Sequence, residues 1–203
     1  MPDVVYMETK GKEGTVRSEG IERSLIEKAR GGDRGSQEVL LSRYESRLFD
    51  LIMRIVRNRE DAMDVLQDTM VKAIVNIDRF DPNRDFGKWL MRIATTTSLD
   101  HLRKQRRRAN LRERYHDLLT TRREPRVDAH LEERLTHEAV ERAMGSLDPR
   151  YRSVLILRYR NDFSYAEIAE VLSIPIGTVK VLLHRAHRAL KEAVRKEGSD
   201  ESL

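Results

Sequence analysis

Asp61, Asp64 and Asp68 fall at i, i+3 and i+7, with Gln67 beside them. On a helix they form one polar line opposite the apolar face. Three carboxylates strung along a straight helix do not converge on an ion, which argues against a metal site. A solvated acidic face and a docking face for a basic partner helix both remain open. Basic residues are segregated elsewhere. Five of the six residues from Arg103 to Arg108 are Arg or Lys, and from Lys180 to Lys196 six basic residues accompany one acid, Glu192. Separated acidic and basic faces suit a protein partner on one side and a polyanion on the other. Trp89, the sole tryptophan, precedes the first basic run, and Phe80 and Phe86 lie just upstream of it. Trp89 suits either a core anchor or a base-stacking platform. The arginines suit either a solvated helix end, favoured by the helix dipole, or a groove for single-stranded DNA.

The sequence offers no Gly-rich phosphate loop, no metal-ligand cluster and no nucleophile–base pair. It contains no cysteine, which excludes disulfides, thiol catalysis and cysteine-bound zinc. Of six histidines, His184 and His187 sit on the second basic segment, better placed for DNA than for catalysis. No enzymatic activity, cofactor or metal is expected.

The elements that must position these residues are helices. Residues 1–20 are polar, carry Gly11, Gly14 and Gly20 and show no sustained period, so they read as a disordered extension. Ile21, Leu25, Ile26 and Ala29 open a first helix that Gly31-Gly32 ends. A second carries Val39, Leu40, Tyr44, Leu48, Leu51, Ile52 and Ile55. A third runs from about Arg59 to Ile77, with Leu66, Met70, Ala73, Ile74 and Ile77 on one side. After the loop signal Asp81-Pro82-Asn83, a fourth places Trp89, Leu90, Ile93, Ala94, Leu99 and Leu102 inward. Residues 109–130, poor in apolar content and holding Pro125, read as a linker. Patterning resumes at Leu131. Asp148-Pro149 starts a further helix with proline in its first turn, and two more follow. No stretch alternates with period two. The expected fold is all-α: two small helical bundles joined by a flexible linker, over residues 21–108 and 131–196, with a tail at 197–203.

Ser164-Tyr165-Ala166-Glu167 has the spacing of a capping box. It opens a short helix with Ile168, Ala169 and Leu172 inward. Ser173-Ile174-Pro175 breaks the chain, and the next helix turns Val179, Leu183, Ala186 and Leu190 inward. Thr178, Lys180, Val181, Arg185 and Arg188 are left mostly outside. A plain helical hairpin would share the cap and the basic face. The combination with a tight turn and a polar helix start reads as a helix-turn-helix, whose second helix enters the major groove while Arg185, Arg188 and Lys191 neutralise phosphates.

Composition agrees. Charged residues are 36% of the chain and aromatics 5%, which favours thin bundles over one deep enzyme-like core. No run of about 18 apolar residues occurs, and the N-terminus lacks the apolar core of a secretory signal. A cytoplasmic protein without membrane insertion is expected. A rival reading is a conventional regulator with an N-terminal dimerisation domain, which would bind a palindrome without further help.

Three segments in order resemble the extracytoplasmic-function group of bacterial RNA polymerase sigma factors: Asp61-Ala62-Met63-Asp64-Val65-Leu66-Gln67-Asp68-Thr69; Phe86 to Ala94 followed by Leu99-Asp100-His101-Leu102-Arg103; and Leu147 to Leu190. The resemblance covers about residues 21–108 and 132–193. It implies core polymerase, promoter DNA as duplex and as melted strand, and an anti-sigma factor as partners. It assigns Asp61, Asp64, Gln67 and Asp68 to polymerase docking. It assigns Phe80, Asp81, Asn83, Arg84, Trp89, Arg92, Thr95, Thr96 and Arg103 to the minus-ten element, with a flipped base held by the loop from Phe80 to Asp85. It assigns Thr178, Lys180, Val181, Leu182, Arg185 and Arg188 to the minus-thirty-five element. The linker would thread the polymerase cleft. Thr96 stands where the family often has Asn, and Val181-Leu182 replaces a frequent Ser-Arg pair, removing a guanine contact worth about 1–3 kcal/mol of discrimination. Met63 replaces a common Glu. Ser173 stands where the turn usually has Gly, implying strain on the order of 1 kcal/mol if its φ is positive.

Overall fold

The computed structural model describes residues 11–116 and 137–200, with side chains described over 21–109 and 139–196. Eight helices are present among them, in the order α1 (Gly11–Arg30), α2 (Arg34–Val56), α3 (Arg59–Asn76), α4 (Phe86–His116), α5 (His137–Ser146), α6 (Pro149–Tyr159), α7 (Tyr165–Leu172) and α8 (Ile176–Asp200). A 3-10 turn, Ile77–Arg79, follows α3. Among the described residues there is no strand, and no helix is long and apolar enough to cross a membrane.

Side chains written into the sequence start the helices. Asp33 accepts from the Ser36 N–H, Asn58 from Asp61, and Asp148 from Arg150. Asp85 Oδ1 accepts from the Lys88 N–H at 2.8 Å and so opens α4. At α7 both arms of the capping box form: the Glu167 N–H donates to Ser164 Oγ at 3.2 Å, and the Ser164 N–H donates to Glu167 Oε2 at 2.7 Å. Ser173 closes that helix at φ 53°, ψ 46°, a left-handed position that costs a residue with a Cβ about 1 kcal/mol.

Three boundaries depart from the sequence expectation. Helix α1 starts at Gly11, inside the stretch read as disordered; α4 continues to His116, past 108; α8 reaches Asp200, past 196. Apolar periodicity reports which face packs, whereas helix continuation needs only good helix formers and no proline. Isolated glycines such as Gly14 are tolerated at about 1 kcal/mol each. The rest of the expected extension, 1–10, most of the expected linker, 117–130, the expected start of the C-terminal bundle, 131–136, and the end of the tail, 201–203, lie outside the described residues.

In the N-terminal bundle α2 packs against α1, α3 and α4; in the C-terminal bundle α8 packs against α5, α6 and α7. The bundles also pack on each other, α4 against α6 and α7 and α2 against α6, so that one continuous apolar core runs through both. Helix α4 is central. Leu90, Met91, Ala94, Thr95, Thr97, Ser98 and Leu99 are all buried, and Thr95 and Ser98 donate their hydroxyls at 2.8 Å to the carbonyls of Met91 and Ala94. On α3 the inward face is Ala62, Val65, Thr69 and Ala73, small side chains that let α2 and α4 approach. Ile74, expected inside, is 37% exposed.

Arg152 joins the two halves. It is 7% exposed. Its Nε donates to Met144 O at 2.9 Å, Nη2 to Gly145 O and Leu147 O at 2.9 Å, and Nη1 to Ile55 O at 2.7 Å. Met144 and Gly145 lie in the last turn of α5 and Leu147 in the turn to α6, and Ile55 lies at the C-terminal end of α2. Arg57, left-handed at φ 62°, sends its Nη1 to Glu141 O at 3.0 Å, and Arg54 pairs with Glu141 Oε1 at 2.9 Å.

Two outcomes follow. Arg152→Leu leaves four carbonyls without a donor and should lower unfolding free energy by about 3 kcal/mol or more, read from urea midpoints, with Arg152→Lys recovering only part because a single ammonium cannot span the four acceptors. Burial raises the Glu167 pKa, but hydrogen bonds from Lys88 and from the Ser164 backbone and hydroxyl outweigh it, and the carboxyl falls from its ordinary 4.5 to about 2. Because the folded value is the lower one, the stabilisation is complete above 4.5 and is lost as pH falls toward 2. The stability gap between wild type and Glu167→Gln should therefore shrink across that acid range.

Candidate nucleic-acid interface

The acidic line divides in two. Asp64, Gln67 and Asp68 are exposed on α3. Asp61 is half-buried and faces α4, with His101 Nε2 3.1 Å from its Oδ1 and Gln105 Nε2 donating to its Oδ2 at 2.8 Å. Asp61 therefore ties α3 to α4, and the solvent-facing set begins at Asp64. On the same line, Val71 and Val75 lie seven and eleven residues beyond Asp64 and are 60% and 73% exposed; Met63 is 53% exposed. These apolar neighbours were not expected. Their signal was the surplus of branched residues on α3 once the small ones had filled the core.

The minus-ten candidates also separate. Phe80 is 2% exposed and Thr95 fully buried, so in this structure both side chains lie beneath the surface expected to meet DNA. Phe80 packs edge-on to Phe86 at 5.1 Å between ring centroids and tilted to Trp89 at 5.3 Å, and the Thr95 hydroxyl is bonded within its own helix. They support the surface from behind. Gly87 belongs to this support too, since a Cβ there would meet Tyr44 Cε1 at 2.9 Å. Trp89, Arg92, Ile93 and Thr96 on α4 line a depression of about 300 Å³, closed on its other side by Lys72, Asn76 and Arg79. Lys72 Nζ donates to Thr97 Oγ1 at 3.1 Å, and Asn76 Nδ2 donates to Lys72 O at 2.8 Å. Lys72, Asn76 and Arg79 are absent from the sequence reading because they belong to α3 and its 3-10 turn, and only packing brings them to α4. The result is three cations around a tryptophan and an isoleucine.

The loop before α4 is folded on itself. Asp81 Oδ1 accepts from the backbone N–H and the side-chain amide of Asn83 at 3.0 and 3.1 Å, and the Arg84 N–H donates to Asp81 O at 2.9 Å. Asn83, Arg84, Asp85 and Phe86 border a second depression of about 690 Å³ with Tyr44, Glu22 and Arg47. The Tyr44 hydroxyl donates to Glu22 Oε1 at 2.8 Å, and burial followed by Glu22 raises its pKa well above the ordinary tyrosine value. Arg84, Lys88 and Arg92 reach across to α7. Arg84 Nη1 lies 2.8 Å and Arg92 Nη1 3.7 Å from Glu170 Oε2, and Lys88 Nζ 2.6 Å from Glu167 Oε1. Arg103 pairs locally with Asp100 at 2.8 Å.

In the C-terminal bundle α7 and α8 pack as a short helix, a turn and a long helix. Val179, Leu183 and Ala186 are buried, whereas Thr178, Lys180, Val181, Arg185 and Arg188 are exposed. Lys180, Val181, His184, Arg185 and Arg188 form one basic surface with Tyr151 around a depression of about 570 Å³. Leu182 is half-buried and turned the other way. With Thr178 it lines an interdomain cleft of about 340 Å³ that also receives Thr96 and Arg103.

Comparison with known proteins matches this architecture segment by segment. Residues 40–108 match the Sigma-70 region 2 family and residues 137–190 the Sigma-70, region 4 family. The ECF RNA polymerase sigma factor SigW of Bacillus subtilis is 32% identical over 180 residues, covering 85% of this chain and 96% of the relative. The ECF RNA polymerase sigma-E factor of Haemophilus influenzae is 31% identical over 185 residues, covering 86% and 95%. Among solved structures, CnrH in complex with the cytosolic domain of CnrY aligns with TM-score 0.56 at 26% identity over 84% of this chain and 94% of that one. The Bartonella quintana sigma factor RpoE, in complex with the anti-sigma factor NepR, shares the fold at TM-score 0.55, 24% identity and 78% and 94% coverage. With both conserved regions present in order and relatives matched over nearly their full length, this chain belongs to the extracytoplasmic-function sigma factors of bacterial RNA polymerase.

Proposed function

We propose that the chain brings core RNA polymerase to promoters by reading a duplex minus-thirty-five element with α8 and opening the minus-ten element on α3 and α4. The observation that carries this reading is the groove in which Lys72, Arg79 and Arg92 surround Trp89. Cations that track phosphates beside an aromatic edge are what a single strand requires. A purely duplex-binding regulator has no use for such a groove in its other domain.

Each step has a physical source. Extruding a base costs a few kcal/mol, and stacking returns about 1–3 kcal/mol per base, so the groove alone comes near balance. Docking on polymerase adds the missing effective concentration by holding both readers on one DNA. Asp64, Gln67 and Asp68, continued by Val71 and Val75, supply a surface for a basic, partly apolar helix. Asp81, Asn83 and Arg84 form the loop that receives an extruded base, with Arg103 on the flanking phosphates. Thr178, Lys180 and Val181 sit at base edges, and Arg185 and Arg188 on phosphates. Bond-making belongs to polymerase, and the chain contributes address and strand opening. A partner comparable to CnrY, whose cytosolic domain is bound to the relative CnrH, would hold the chain inactive.

Run-off transcription from a mixed genomic template with core polymerase tests the reading. New defined start sites should depend on the chain; their absence, with no co-elution with core, would transfer the weight to a polymerase-independent regulator. Asp64→Arg should abolish co-elution while leaving the fold intact. Lys72→Ala and Arg92→Ala should each lower strand opening about tenfold, the loss of one charge-assisted contact, read by permanganate reactivity of unpaired thymines.

A further inference from the structure

We infer that Glu167 and Glu170, on the first helix of the helix-turn-helix, are an internal substitute for DNA phosphate that keeps the free chain closed over its own minus-ten surface. This rests on the assignment of Arg84 and Arg92 to that surface, with Lys88, which lies between them in sequence, taken as part of it. Each of the three cations is occupied by a carboxylate of α7. Glu170 Oε2 sits between two guanidinium groups, at 2.8 Å from Arg84 and 3.7 Å from Arg92. Glu167 Oε1 takes Lys88 at 2.6 Å. A pair of anionic oxygens on successive turns of a helix engages the positions that successive phosphates of a strand would take.

The same closure brings one edge of the recognition helix against the minus-ten side. Thr96 and Arg103 from the minus-ten side and Thr178 and Leu182 from the recognition helix line one cleft of about 340 Å³, far too small for a duplex. No strand can engage Arg84, Lys88 and Arg92 while α7 holds them, whereas the outward face of the recognition helix, with Lys180, Val181, Arg185 and Arg188, stays exposed.

The contact is built to open. Its ion pairs are half-exposed, with side-chain exposures between 35% and 61%, and pairs of this kind are individually weak and screened by salt. The polar contact beside them is imperfect. Asn161 Nδ2 has only the sulfur of Met91, at 3.5 Å, and its Oδ1 is the one buried side-chain oxygen or nitrogen among the described residues without a partner. The opposite side of the interface, held by Arg152 on Ile55 O and by Arg54 and Arg57 on Glu141, is the better satisfied side and serves as the hinge.

Because the chain contains no cysteine, Ser46→Cys on α2 and Lys191→Cys on α8, both exposed, allow a donor and acceptor dye to report closure in the full-length protein. Glu170→Lys should lower energy transfer and tighten binding of a labelled oligo(dT) strand by about three- to tenfold, since apparent affinity scales with the open fraction. Glu45→Lys, an equal charge change on an exposed face of α2, should do neither, and adding Arg92→Ala to Glu170→Lys should remove the gain. Unchanged energy transfer in Glu170→Lys would overturn the latch. So would opening without tighter binding, or an equal gain in both lysine variants. Failure of the sigma reading itself would show separately, as wild-type chain that opens and binds oligo(dT) yet directs no run-off transcripts.

Discussion

Four backbone carbonyls from two bundles converge on one guanidinium, and the architecture depends on that convergence. The end of α5 and the turn to α6 leave the carbonyls of Met144, Gly145 and Leu147 pointing inward with no helical partner, and the end of α2 leaves that of Ile55 in the same position. Orphan carbonyls at helix ends are costly when buried. A planar fork with five donors satisfies all four without a water, which a lysine could not do. Arg152 thereby sets the angle between α5 and α6, on which α8 packs, and fixes the C-terminal bundle against α2. The register of the recognition helix and the pivot between the bundles share one side chain.

With the pivot fixed on one side, the other side of the interface can be governed by charge. The start of α4, with Arg84 just before it and Lys88 and Arg92 on its first two turns, needs anions wherever it is buried. Inside the chain α7 supplies them; on a promoter, in the function proposed above, the strand would. In the proposed latch, one set of cations serving two alternative anions sets closure against strand binding at this surface. The ion pairs need to be weak for this to work, since a closure much stronger than the binding it competes with would leave the chain inert.

Local chemistry was readable from the sequence and three-dimensional adjacency was not. The helix starts at Asp148 and Ser164 follow from a few neighbouring residues, and the resemblance marked Ser173 as a turn position that usually holds glycine. The all-helical class and the outward set on α8 follow from period. What was misread depends on which of several apolar residues a neighbour covers. Phe80 and Thr95 look like DNA contacts by position but lie behind the surface; Ile74 looks like core but faces out because Ala73 already fills the space. Asp61 belongs by spacing with Asp64 and Asp68, yet His101 and Gln105 from α4 claim it. Lys72, Asn76 and Arg79 were invisible as groove residues because their partners lie on another helix.

Thr96 shows how such adjacency constrains specificity. Its hydroxyl donates back along α4, with Arg92 O and Ile93 O both 3.0 Å away. A threonine has a single O–H to give, so toward a base in the groove Thr96 can act only as an acceptor. An asparagine at this position would offer donors and an acceptor together. On an unpaired strand the donors that an acceptor can meet are the exocyclic amino groups of adenine, cytosine and guanine and the ring N–H groups of thymine and guanine, whereas a thymine O4 or guanine O6 finds no donor in Thr96. Discrimination for those bases then falls to the amide of Asn76 and the cations of Lys72, Arg79 and Arg92 around it. In the recognition helix the exposed Val181 presents an apolar edge suited to a thymine methyl. Both readers therefore depart from paired hydrogen bonding in the same direction, toward shape, methyl contact and phosphate charge.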